Sequence, residues 1–143
     1  MISQLVHLLH VEDCSCVIAN GSETRTFNQR GVADLYDLVC NQPEFLRGAK
    51  IADKVVGKGA AALMIKGGVR LLHADVISLS ALSLLREHDV RVYYDKCVPL
   101  IKDRSGLHQC PVEKLCSKEN SIETMFKLIK DFICKQQLRD SII

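Results

Sequence analysis

The chain has 143 residues, 48% of them hydrophobic and 25% charged, which suits one globular domain and excludes a disordered polymer. Its 19 basic and 17 acidic side chains nearly cancel to a net charge of +2, so nucleic acid is not an expected partner. No apolar run approaches the roughly 18 residues of a membrane span. Met1-Ile2-Ser3-Gln4-Leu5 shows neither a basic stretch nor a cleavage site, so a cytoplasmic location without a membrane partner is expected.

Leu5, Val6, Leu8 and Leu9 predict a short N-terminal helix. Cys16-Val17-Ile18-Ala19 then runs into Asn20-Gly21, a strong signal for a two-residue hairpin turn. Polar and β-branched residues alternate from Glu23 to Phe27, so residues 15–27 read as a β-hairpin. Val32, Leu35, Tyr36 and Val39 repeat at helical spacing between Gly31 and Asn41. Residues 49–56 suit a strand. Gly57-Lys58-Gly59 opens an alanine-rich helix that Gly67-Gly68 stops. Residues 69–77 suit a second strand, and Ser78 is placed to cap a helix marked by Leu79, Leu82 and Leu85. Arg91-Val92-Tyr93-Tyr94 predicts a third strand.

Strand, helix, strand, helix, strand over residues 49–95 argues for parallel strands joined by right-handed crossovers. Near the C-terminus, Ile122, Met125, Phe126, Ile129, Phe132 and Ile133 form one helical stripe, a core face. Lys127, Lys130, Asp131 and Lys135 give that helix its solvated side, and Asn120 with Glu123 has capping-box spacing. The expected architecture is a single α/β domain with a mixed sheet, an N-terminal hairpin and a C-terminal helix.

Seven cysteines are an odd set, which does not suit a disulfide framework. Without an export signal reduced thiols are the default, and Cys16, Cys40 and Cys134 are expected to pack as small hydrophobes.

Four strings carry a family resemblance: Gly31-Val32-Ala33-Asp34-Leu35-Tyr36, Asp53-Lys54-Val55-Val56-Gly57-Lys58, Ala74-Asp75-Val76-Ile77-Ser78, and Cys110-Pro111-Val112-Glu113 after Arg104. In order and spacing the chain resembles an uncharacterised bacterial domain-of-unknown-function family, the one numbered 1893. A structural-genomics structure places that family in the cytidine-deaminase-like fold. The resemblance implies a three-layer α-β-α sandwich. Gly59 departs from it, because alanine is expected there; glycine loosens a helix by about 1 kcal/mol relative to alanine.

Zinc deaminases hold their metal with His-x-Glu and Pro-Cys-x-x-Cys, each opening a helix. Here the corresponding helix starts read Gly57-Lys58-Gly59 and Ser78-Leu79-Ser80-Ala81, with neither His nor Cys. His10-Val11-Glu12 mimics the first motif, with Cys14 and Cys16 close behind, but it precedes the first strand. Pro-Cys-x-x-Cys does not occur, so no metal and no cofactor are expected.

Three candidate sites remain. At Gly57-Lys58-Gly59, free amides, a helix dipole and a lysine have the physics of an anion site; the competing reading is close packing with Lys58 in solvent. Near Cys110, Arg104, His108 and a helix opened by Pro111 are suited to activating the thiol, against a structural cysteine at a helix cap. Asp53, Asp75 and Ser78 form the third set: Asp75 and Ser78 stand near the C-terminal end of a strand, where α/β sheets bind ligands, against a turn role for Asp75 and a capping role for Ser78.

The leading expectation is a zinc-free deaminase-like protein that binds a small anionic, nucleotide-like metabolite. Lys58 would hold the phosphate, and Asp53 and Asp75 would meet its polar groups. One alternative is a thiol enzyme using Cys110 with His108 or Glu113 as proton carrier. The other is an interaction module with a vestigial cleft, possible as a homo-oligomer.

Overall fold

A computed structural model describes residues 2–29, 31–103 and 105–142. Five strands, β1 (Cys16–Asn20), β2 (Glu23–Phe27), β3 (Lys50–Val56), β4 (Leu71–Ser78) and β5 (Arg91–Val98), form one sheet in the order β2-β1-β3-β4-β5. β2, β1 and β3 pair antiparallel, whereas β3, β4 and β5 pair parallel. The hairpin forms as expected, shifted by one residue. Asn20 pairs with Glu23, so Gly21 and Ser22 make the two-residue loop, with Gly21 at φ +60°. The Asn20 amide donates instead to the carbonyls of Phe45 and Arg47, each at 2.8 Å.

Seven helices accompany the sheet among the described residues: α1 (Ile2–Val11), α2 (Ala33–Asn41), α3 (Pro43–Leu46), α4 (Lys58–Gly67), α5 (Leu79–Glu87), α6 (Pro111–Cys116) and α7 (Ile122–Ile142). α1 covers one face through Leu5 and Leu9, which pack with Cys14, Val17 and Ala52. The larger core lies on the other face, where α4 packs against α2, α5, α6 and α7. Residues 58–64 of α4 are all buried, because this helix is enclosed by its neighbours rather than lying on a surface. Gly68 stops it in the left-handed conformation at φ 82°.

Gly59 permits a close approach between helices. A β-carbon there would stand 2.4 Å from Val112 Cγ1. The glycine that costs helix propensity therefore makes room for α6. On α7, Met125, Ile129 and Ile133 are buried as the stripe predicts. Its cap is Ser121, whose hydroxyl accepts from Thr124 N at 3.2 Å, so the Asn120 capping box does not form. Cys16 packs in the core, but Cys40 and Cys134 are exposed, contrary to expectation. Among the described residues no helix is long and apolar enough to cross a membrane.

Candidate functional site

A cleft of about 540 Å³ opens where β3 runs out, between the start of α4, the start of α2, residues 101–103 and 110–113, and α7. Ile18, Phe27, Val32, Ile101, Val112 and Phe132 give it an apolar lining. Asp53, Asp34, Cys16, Cys110 and Glu113 are its notable polar groups.

Strand pairing builds the cleft floor. Cys16 and Asp53 are direct partners across the antiparallel β1–β3 ladder, so their side chains share a face. Asp53 is 9% exposed, and Val55 N donates to its Oδ1 at 3.4 Å. Burial pushes the Asp53 carboxyl up to about 7; the Asp75 charge adds to this, and donors at Val55, Lys54 and Cys16 oppose it. Burial also pushes the Cys16 thiol far up, reinforced by the charges of Asp53 and Asp34. Asp34 is raised as well, again chiefly by burial. Near neutral pH the Cys16 thiol keeps its proton and Asp53 is poised between its two forms.

Glu113, only 2% exposed, organises the cleft wall. Its Oε1 accepts from Lys58 N at 3.3 Å and from Ser80 Oγ at 3.5 Å, and Ile101 N donates to its Oε2. The first turns of α4 and α5 thus meet at one carboxylate. In return the Lys58 ammonium donates to the carbonyls of Ser117 at 3.1 Å and Glu119 at 2.6 Å, just beyond α6. Each charge sits where the local backbone dipole favours it.

At Gly57-Lys58-Gly59, where the sequence suggested a phosphate, the helix start and the lysine already have partners within the chain. Glu113 supplies the anion for that helix start from within the chain. Lys58 is neither in solvent nor aimed at a ligand, because carbonyl groups hold it. Gly57 and Gly59 do line the cleft. Ser78 is fully buried and caps α5 through Ala81 N at 3.2 Å, the plainer of its two readings.

Asp75 leaves the cleft for a simple reason of register. Asp53 pairs with Ala74, and successive strand residues point to opposite faces, so Asp75 emerges on the α1 side. There it accepts from His10 Nε2 at 2.7 Å and from His73 Nε2 at 3.3 Å. It is a strand residue, not a turn residue. Cys110 is half-buried at the cleft, and Pro111 opens α6 behind it. His108 acts on a different group: its carbonyl accepts from Asp103 N at 2.7 Å, and its charge helps hold Asp103 below the usual carboxylate range, after the larger effect of Ser105. Arg104 lies outside the described residues.

The structure therefore brings Asp53, Gly57, Gly59 and Cys110 to one cleft and leaves Lys58, Asp75 and Ser78 outside it. Sequence reasoning missed Cys16 and Asp34 as floor groups. A hairpin register aligned with Asp53 could have found Cys16; no local signal marks Asp34.

A crystal structure of a DUF1893 family protein from Thermotoga maritima is similar, with a TM-score of 0.84 and 26% identity over 91% of this chain and 88% of that one. No curated protein matches the chain. The family described as a domain of unknown function, DUF1893, matches residues 4–133, a span that contains Cys16, Asp53, Cys110 and Glu113, and the chain belongs to that family.

Proposed function

We propose that the cleft binds a small, mainly apolar heterocycle of nucleobase or nucleoside size, in a zinc-free, deaminase-like domain. The observation that carries this reading is Asp53: a buried carboxyl held near pKa 7 inside an apolar cleft. A protonated carboxyl presents a donor and an acceptor side by side, the complement of a lactam or amidine edge. A volume of about 540 Å³ is of small-molecule size, and the end of a parallel strand is a common ligand position. With a pKa near neutrality, Asp53 also suits proton transfer to or from a bound base.

A deaminase-like fold makes the starts of α4 and α5 converge, and Glu113 occupies that convergence here. The zinc of such enzymes does not fit, because neither helix start offers His or Cys and a carboxylate already binds their donors. Phosphate, if the ligand carries one, must project toward Lys102 at the rim rather than toward Lys58. In a second reading, Cys110 at the same cleft is a nucleophile; alkylation of Cys110 well ahead of the exposed Cys40 and Cys134 would favour it.

The test is a thermal-shift screen with nucleobases, nucleosides, nucleotides and inorganic phosphate. Ligand at 100 times its dissociation constant adds about 2.7 kcal/mol, or about 10 °C. The expected shift appears below the Asp53 pKa and fades above it. It persists above it in Asp53→Asn, whose amide keeps a donor and an acceptor, and vanishes in Asp53→Ala. No shift with any compound sinks the reading. A shift confined to phosphorylated compounds and indifferent to Asp53 replaces it with an anion site.

A further inference from the structure

On the face of the sheet opposite the cleft, three elements bring together two imidazoles and two carboxylates. His10 comes from the last turn of α1, His73 and Asp75 from β4, and Asp95 from β5. His73 and Asp75 are two residues apart on a strand and share a face. Asp95 stands beside Asp75, because the flanking residues Ala74 with Tyr94 and Val76 with Lys96 are register partners. His73 Nε2 lies 3.3 Å from Asp75 Oδ1 and 3.9 Å from Asp95 Oδ2, and His10 Nε2 lies 2.7 Å from Asp75 Oδ2.

We infer that His10, His73, Asp75 and Asp95 form a binding site for a divalent transition metal of the zinc type. Ligand atoms from His73, Asp75 and Asp95 already lie within 4.8 Å of one another. In a tetrahedral site with metal–ligand bonds of about 2.0–2.1 Å, ligand atoms stand about 3.3 Å apart. Among His73, Asp75 and Asp95 the observed 3.3 and 3.9 Å lie close to that spacing, whereas His10 Nε2, 2.7 Å from Asp75 Oδ2, stands outside this compact group and must swing in as the fourth ligand. Each imidazole offers its Nε2 lone pair once the ring proton sits on Nδ1. Two nitrogens and two carboxylate oxygens suit zinc, cobalt or nickel; calcium and magnesium prefer all-oxygen shells.

The arrangement also answers a cost in the sheet. Asp75 and Asp95 are like charges on neighbouring strands, which is unfavourable unless a cation lies between them. The side chain of His73 is 12% exposed and that of Asp75 23%, whereas His10 and Asp95, at 48% and 66%, form an outer rim open to solution. A metal arriving from solvent therefore meets two partly buried ligands and two exposed ones. The α1 helix packs mainly on β1 and β3 and already reaches β4 through His10 and Asp75; a metal would extend that tie to β5.

The experiment is titration of the chelator-stripped full chain with zinc chloride and cobalt chloride. Calorimetry reads stoichiometry, and the cobalt spectrum reads ligand type. One metal per chain is expected, with four-coordinate d–d bands and no sulfur-to-cobalt charge transfer. Asp95→Asn, on a side chain exposed enough that folding is unaffected, and His73→Gln should each weaken binding by at least about tenfold. The inference is overturned by any of three results: no binding, sulfur charge-transfer bands that place the metal on cysteines, or affinity indifferent to both variants.

Discussion

Asp53 and Glu113 border the same cleft and are 9% and 2% exposed. Glu113 is met by three donors, from Lys58 N, Ile101 N and Ser80 Oγ. Asp53 has the Val55 amide at 3.4 Å, a backbone donor at Lys54 and the Cys16 thiol, too weak a set to offset its burial, and its carboxyl rises to about 7. Two acids of nearly equal burial thus differ in the donors that meet them. Glu113 fastens the starts of two helices; Asp53 is left able to exchange a proton.

The largest expected effect separates them by pH. A folded-state pKa raised from 3.8 to about 7 means that the native protein holds a proton the unfolded chain has lost. The associated stability is fully present below about pH 4 and is lost as pH rises through 7, by about 4 kcal/mol at most. Urea unfolding of wild type and Asp53→Asn across that window should show the variant gaining on wild type as pH rises. Parallel curves would mean that Asp53 is ionised across the window. Glu113→Gln should cost about 2 kcal/mol at neutral pH, because an amide NH₂ must then face a donor it replaces poorly. A neutral result in the same denaturation assay would erase the contrast. Gly59→Ala sharpens it from the packing side. Helix propensity alone predicts a gain of about 1 kcal/mol, whereas overpacking against Val112 predicts a loss of about 1 kcal/mol or more. The melting temperature should fall.

Local signals made the fold legible. The hairpin, the three parallel strands, the alanine-rich helix and the long terminal stripe each rest on periodicity or turn residues within a few positions. The hairpin loop and the α7 cap were each misplaced by one residue, where neighbouring polar residues compete for the same role, and β5 runs four residues past the expected Tyr94, to Val98. The four-residue α3 is too short to leave a period. The cleft was half legible. Asp53, in mid-strand on β3, and Cys110, just before a proline-opened helix, were both named from the sequence. The role of Lys58 depends on the carbonyls of residues 117 and 119, and that of Asp75 on which face a strand turns to α1. Neither is encoded nearby. Glu113 meets donors from residues 58, 80 and 101, which are far apart in sequence.

The 2.4 Å gap between the absent β-carbon of Gly59 and Val112 makes these two positions one heritable unit. A relative that carries alanine at the first must carry a smaller side chain at the second, or set its α6 farther from α4. Either change moves Glu113 and Cys110, which ride on and just before that helix, and so alters the width of the cleft. Differences in ligand among such relatives would then arise from a single methyl group whose nearest contact is Val112.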